Sequence, residues 1–484
     1  MSTSLQPPPL SPADKPADKG SDEAILAEVV TAEEAPVIYV PGHSAETYPP
    51  QAPSKDIPLE AHVEPTIPWP KSLPMRAWYA LCWGLEWLFG LASVIGCLAV
   101  LAAIPLLNFI SLGYLLEASG RVAKSGRLRD GFIDMPKFAR IGSLVAGTWL
   151  FLWLPRLLSV VGIDAWLIDP ASVQTGGWRI AQLVVTGLIL GHILLAWYSG
   201  GRLRHFFWPL LAPFQLGALL LFGGIVGPIL KPLVIALSPK LAEDLYVARP
   251  LSAWFPPAIL WAGIRRGHMY IEARDAVWMF VTSLRLPQLF WLGLRGFIGG
   301  FLWLVIPTLM LIAGTSGGKP GTIVVGYLGA LGLAFVMLYL PFLQTNFAAQ
   351  NRFAALFAWS EVRAQFRRAP IAYWFSLTIT LLFALPLYLL KVEPIPRELW
   401  WTLTLFFILF IYPARLLTGW AVGRAMKREK PRFFLFRWMS RLAAIPVILV
   451  FIFFLFFTQF TSYGGPATLL EHHAFLLPVP FVGM

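Results

Sequence analysis

The 484-residue chain is 57% hydrophobic and only 13% charged, with a net charge of +12, against roughly 45–50% and about 25% in soluble globular domains. Those figures exclude a string of ordinary soluble domains and place the chain among membrane proteins. The positive balance is what Lys and Arg flanking the cytoplasmic ends of membrane spans produce, so no nucleic-acid partner is expected.

Residues 1–77 are rich in Pro, Ala, Asp and Glu, carry few aromatics before Trp69, and hold five Lys or Arg against eleven Asp or Glu. They read as a disordered acidic tail with no cleavable signal peptide. The 39 residues from Trp78 to Leu116 are too long for one upright span. Glu86 near their start favours an interfacial helix followed by a span at 91–115, with a tight hairpin as the alternative. Cys82 and Cys97 lie in this run and imply neither a disulfide framework nor a metal cluster.

Further spans are expected near 141–160, 179–198, 290–313, 322–343, 371–390, 399–418 and 441–461, which makes eight in an all-α polytopic bundle. The apolar stretch 214–237 is a re-entrant or interfacial segment. If it does not cross, the cytoplasmic segments hold nearly all Lys and Arg, whereas a crossing would put most of them outside. The same count puts Arg265, Arg266, Arg368 and Lys427 on one side with Arg127. The domain layout is then a tail at 1–77, a first membrane unit at 78–208, a connecting region at 209–289, a closing span at 290–313, a second unit at 314–461, and a short extracytoplasmic tail at 462–484.

The two units carry a weak repeat. Pro105-Leu106-Leu107-Asn108-Phe109 is echoed by Pro341-Phe342-Leu343-Gln344 with Asn346-Phe347 beyond it, and Leu154-Pro155 by Leu385-Pro386 in the following span. Spans starting at 91, 141 and 179 pair with those starting at 322, 371 and 399, in the same direction, as in a parallel transporter duplication. The run from Ile104 to Leu116 also resembles the signature of a bacterial membrane family known as domain of unknown function number four thousand and thirteen. There an Ile-Pro-x-x-Asn segment leads to a Gly-Tyr pair and a basic stretch, matched here by Gly113-Tyr114 and Arg121 to Arg129. The resemblance implies a multi-pass protein of the bacterial inner membrane and brings no activity with it.

Chemical motifs are sparse. Gly314-Thr315-Ser316-Gly317-Gly318 lacks the Gly-Lys-Ser/Thr ending of a phosphate loop and reads as a flexible turn. Glu471, His472 and His473 lack a third ligand nearby, so no metal and no cofactor are expected. His192, alone inside a span, is explained at least as well by a hydrogen bond to a neighbouring helix as by a function. Arg156, Arg295 and Arg415 lie near span ends, where they can snorkel. Seven of the eight spans contain proline, at 105, 155, 307, 341, 386, 413 and 446. Gly187 with Gly191, Gly296 with Gly300, and Gly419 with Gly423 have the spacing of close helix contacts. None of the eight spans as placed contains Asp or Glu, which disfavours proton coupling through an intramembrane carboxylate.

These features point to a non-enzymatic membrane component, foremost a permease for a small solute or a lipid. An envelope scaffold is the alternative, and a lipid-modifying enzyme comes third. The expected partners are the bilayer and other membrane proteins. If a site exists, the repeat places it in a polar cleft facing the cytoplasm, lined by Asn108, Tyr114 and Glu117 from one copy and Gln344, Asn346 and Arg352 from the other.

Overall fold

The computed structural model describes residues 71–169, 173–223, 227–240, 255–316, 320–389 and 400–461. Glu471, His472, His473, the C-terminal tail and all but the end of the N-terminal one lie outside the described residues. Within them are fifteen α-helices, two short 3-10 turns and no strand. Seven helices are long and apolar enough to cross a membrane, and a pair bent by 115° brings the number to eight when it is counted as one span. The bundle is coated in exposed Leu, Ile, Val, Phe and Trp side chains, a surface that suits hydrocarbon and not water.

Helix α1 (Leu73–Ala103) begins inside the stretch read as tail and runs unbroken past Glu86. The expected single span at 91–115 is not formed: α1 ends at Ala103, and α2 (Asn108–Ser125) folds back against it. The Ser111 hydroxyl donates to the carbonyl of Leu98 at 2.7 Å, a pairing only a turned-back chain allows. Hence the hairpin replaces the interfacial helix followed by a span. Pro105 supplies no N–H to the helical ladder, and Leu106 takes a left-handed φ of 68°. The other six span prolines stay inside their helices. Proline alone therefore does not decide a break; the contact that docks α2 does.

From α2 the chain passes a 3-10 turn (Leu128–Gly131) into α3 (Met135–Ile168) and α4 (Val173–Tyr198), both largely exposed to the lipid side. Helix α5 (Leu203–Phe206) is a single turn, and α6 (Trp208–Gly223) and α7 (Gly227–Leu237) are each too short to cross. Next come α8 (Pro256–Arg266), α9 (Met269–Ser283) and α10 (Leu286–Ser316), the last two separated by Arg285 at φ 55°. Residues Gly314 to Ser316 complete α10 and so are not part of a turn. The chain then forms α11 (Pro320–Gln350), a 3-10 turn (Phe353–Phe357), α12 (Trp359–Arg368), α13 (Pro370–Leu389), α14 (Trp400–Met426) and α15 (Phe434–Thr461).

Helix α2 sits at the centre, and thirteen of its eighteen residues are buried. Small residues make this possible. A Cβ at Gly113 would strike the carbonyl of Leu289, one at Gly293 the carbonyl of Phe109, one at Gly120 the backbone of Ala348, and one at Gly419 the carbonyl of Ser119. Three helices, α10, α11 and α14, thereby approach α2 to backbone distance. Of the glycine pairs singled out above, Gly419 and Gly423 pack on α2 as expected and Gly296 lies against Leu116. Gly187 and Gly191 do not pack: nothing lies within 4 Å of either Cβ position.

The basic segments gather on one face. Lys137 reaches the Ser283 carbonyl at 3.0 Å, Arg285 lies 4.0 Å from Glu117, Lys427 covers Gly126, and the Arg432 N–H donates to the Arg367 carbonyl at 2.9 Å. This is the face the charge count assigns to the cytoplasm. The repeat is visible here as a shared exit from α2 and α11. Gly126 and Asn351 take φ of 70° and 54°, and Arg127 and Arg352 follow with φ, ψ of −116°, 123° and −116°, 122°, each opening a 3-10 turn.

Candidate functional site

The six residues placed in one cleft by sequence do not share an open surface. Asn108 is the first residue of α2 and is 6% exposed, and its Oδ1 has no donor among the described residues. Tyr114 is buried, donates its hydroxyl to the Ile133 carbonyl at 3.0 Å and packs on Phe138 and Tyr412. Glu117 is half-buried and pairs with Arg121 at 2.9 Å. Gln344 and Asn346 are fully enclosed within the bundle, and Arg352 is exposed at the start of its 3-10 turn. The cause of the difference is α2 itself. Folded back into the centre, it fills the space that two facing repeat copies would have left open.

What Asn346 faces is a different set of groups. Its amide and that of Gln365 are joined twice, Asn346 Nδ2 to Gln365 Oε1 and Gln365 Nε2 to Asn346 Oδ1, both at 3.1 Å. The Tyr373 hydroxyl donates to the same Gln365 Oε1 at 2.7 Å. Toward the surface, Glu361 accepts from Gln365 at 3.4 Å and from Gln350 at 2.9 Å. A polar chain thus leads from the basic face into the bundle and ties α11, α12 and α13 together. Tyr373 also stacks on Phe342 with ring centroids 4.2 Å apart.

The local sequence explains the bend that brings these groups together. Helix α12 is strongly amphipathic, with Val362 and Gln365 inward and Arg363, Arg367 and Arg368 near its outer face. Pro370 follows Ala369, whose φ, ψ of −135°, 57° leave the helical region as a residue before proline must. The chain turns by 115° there and enters α13. Gln365 was detectable in principle. It is an amide on the inward stripe of a charged helix, in register with Val362, Phe366 and Ala369. Its partner Asn346 was not, because nothing local links them.

Other singled-out residues are structural. His192 hydrogen-bonds the Phe206 carbonyl at 2.7 Å and lies against Phe151, the helix-to-chain bond weighed above. Arg295 joins Asn351 at 2.7 Å and covers the Phe347 ring. Arg156 is exposed. Arg415 does not snorkel: it is 3% exposed inside the bundle, because α14 lies against α2 over that length.

His205 on α5 is buried, and burial together with Arg204, Arg202 and Arg140 pulls its pKa down to about 3. An unfolded chain protonates this imidazole near pH 6.5. Between the two values the unfolded state holds more protons, so stability falls as pH drops through that window. By about pH 5 the loss reaches about 2 kcal/mol. Purified His205→Gln should show a shallower decline of melting temperature from neutral pH to pH 5 than wild type, and parallel declines would refute this assignment.

Long apolar helices, a lipid-facing coat and a basic face define a multi-pass helical membrane protein. Residues 280–392 match the family described as Protein of unknown function (DUF4013), the family that the Ile104–Leu116 run resembles. The matched stretch is under a quarter of the chain and does not include that run. It contains instead the Pro341–Phe347 echo, the amide pair and the α12–α13 bend. No curated protein and no solved structure matches.

Proposed function

We propose that the chain is a non-enzymatic protein of the bacterial inner membrane, a permease for a small solute or a lipid that works without an intramembrane carboxylate relay. The observation carrying this reading is the start of α2. Helix α2 starts after a break at Pro105 whose turn residues, Ile104 to Leu107, are exposed, and its first side chain, Asn108, is tucked into the bundle with a carbonyl oxygen that has no partner among the described residues. Broken helices with free polar groups at their ends are how many carriers hold cargo. The absence of coupling carboxylates is supported by the buried set, which contains no Asp or Glu among the described residues. Glu86 and Asp164, which the longer helices do include, are exposed.

Asn108→Leu is the test. If the amide only fills space, removing an unsatisfied buried group changes nothing but stability, raising it by about 1–3 kcal/mol. If it holds cargo, a stable variant loses transport. Proteoliposomes carrying fluorescent phospholipids in both leaflets and a membrane-impermeant quencher outside test the lipid arm. Counterflow of a labelled bacterial polar-metabolite extract tests the solute arm. Wild type should move one class and Asn108→Leu neither; unchanged transport in the variant, or none in wild type, would overturn the reading.

A further inference from the structure

The bend between α12 and α13 lies beside the C-terminal end of α14, and between them opens a cavity of about 340 Å³. Three of its lining residues are Arg424, Arg428 and Arg432. Arg424 stands in the last turn of α14, Arg428 lies just past its end with its N–H bonded to the Ala425 carbonyl at 3.2 Å, and Arg432 is fixed by its backbone bond to the Arg367 carbonyl. Each of the two outer guanidinium groups rests on a ring, Arg424 at 4.6 Å from the centroid of Trp420 and Arg432 at 5.6 Å from that of Phe436. Among the described residues no carboxylate pairs with any of the three. Trp374 lines the same cavity, and its indole N–H is buried with no acceptor among the described residues.

The remaining wall is apolar. Phe375 meets Trp420 edge-on, with centroids 6.4 Å apart, and is itself 41% exposed on the lipid-facing side of α13. The cavity therefore has a cationic end at the basic face and a greasy side open to the bilayer. Its cationic end matches the phosphate of a glycerophospholipid, which sits at that depth, and the apolar side matches the first segment of an acyl chain. A concentration of unpaired Arg at the cytoplasmic interface, with aromatic support, is the chemistry that retains anionic headgroups.

We propose that this cavity binds the phosphate-bearing headgroup of an anionic phospholipid from the cytoplasmic leaflet. The site is separate from Asn108 and stands whether or not the chain is a permease.

The test uses the full chain in nanodiscs of phosphatidylcholine, alone or with phosphatidylglycerol or cardiolipin, read by native mass spectrometry of retained lipid and by melting temperature. Wild type should retain the anionic lipids and melt higher in their presence. Arg428→Gln should weaken retention about fivefold, and Arg424→Gln/Arg428→Gln/Arg432→Gln about 100-fold, if each Arg near the surface contributes its usual share. All variants should melt like wild type in pure phosphatidylcholine, and Asn108→Leu should retain lipid as wild type does, which separates this site from transport. Trp374→Phe keeps the ring but loses the donor and should also weaken retention. Equal retention of phosphatidylcholine by wild type would overturn the proposal. So would inorganic phosphate reproducing the full stabilisation, which would make the cavity a site for free phosphate.

Discussion

Replacing Gly113 with leucine should leave little folded protein. The Cβ alone would occupy the position of the Leu289 carbonyl, and the partner glycine, Gly293, faces the Phe109 carbonyl in the same way. Overpacking against a flexible side chain costs about 1–3 kcal/mol. Here the obstacle is the backbone of a neighbouring helix, so α10 must move bodily away from α2, and the expected loss is about 3 kcal/mol or more. For a chain of this size, whose unfolding entropy is large, that lowers the melting temperature by roughly 4 °C or more. Gly187→Leu is the matched control, because its Cβ position is open. Melting in detergent, followed by loss of the monodisperse peak on size-exclusion chromatography, checks both. Equal behaviour of the two variants would show that α2 is not held at backbone distance.

Gln365→Leu carries the second large effect. Interhelical hydrogen bonds in membranes contribute only about 0.6 kcal/mol on average, because the loosened state finds other partners. Removing Gln365 does more than delete a bond. It strands the Asn346 amide, which has no exposed surface, and the buried Tyr373 hydroxyl. Each unsatisfied group costs about 1–3 kcal/mol, which puts the single variant at about 2–6 kcal/mol. Asn346→Leu combined with Gln365→Leu removes both sides of the pair, so the double variant should be more stable than the sum of the single losses predicts, by about 1 kcal/mol or more. Additive losses in a double-mutant cycle of melting temperatures would show that the two amides do not form a unit.

The membrane class and most spans were legible because they depend only on runs of apolar residues. What the hydropathy could not show is the turn at Ile104–Leu107. That turn is built from Ile, Pro and Leu, with no Gly or Asn to mark it, and Leu106 accepts a left-handed φ. A left-handed leucine has no local signature, since the docking of α2 enforces it. The expected cleft failed for the same reason. Gln344 and Asn346 stand where polar residues ordinarily approach an interface, but α2 and α12 cover them. Glycine spacing was equally two-sided. Gly419 with Gly423 and Gly187 with Gly191 have the same pattern, and only the first pair meets a helix. Spacing says that a helix can be approached, while the partner is decided elsewhere in the chain.

The central position of α2 also sets an order of events during synthesis. With Glu117, Arg121 and Lys124 in its second half, α2 is a poor candidate for stable insertion by itself. The glycine contacts that hold it join residue 113 to 293, 120 to 348 and 119 to 419. Its last neighbour therefore emerges some 300 residues after α2 is made, about 15–60 s later at ordinary elongation rates. Throughout that interval the segment must wait at the membrane surface or be sheltered by the insertion machinery. The final step of biogenesis is then the closing of later helices around an early one.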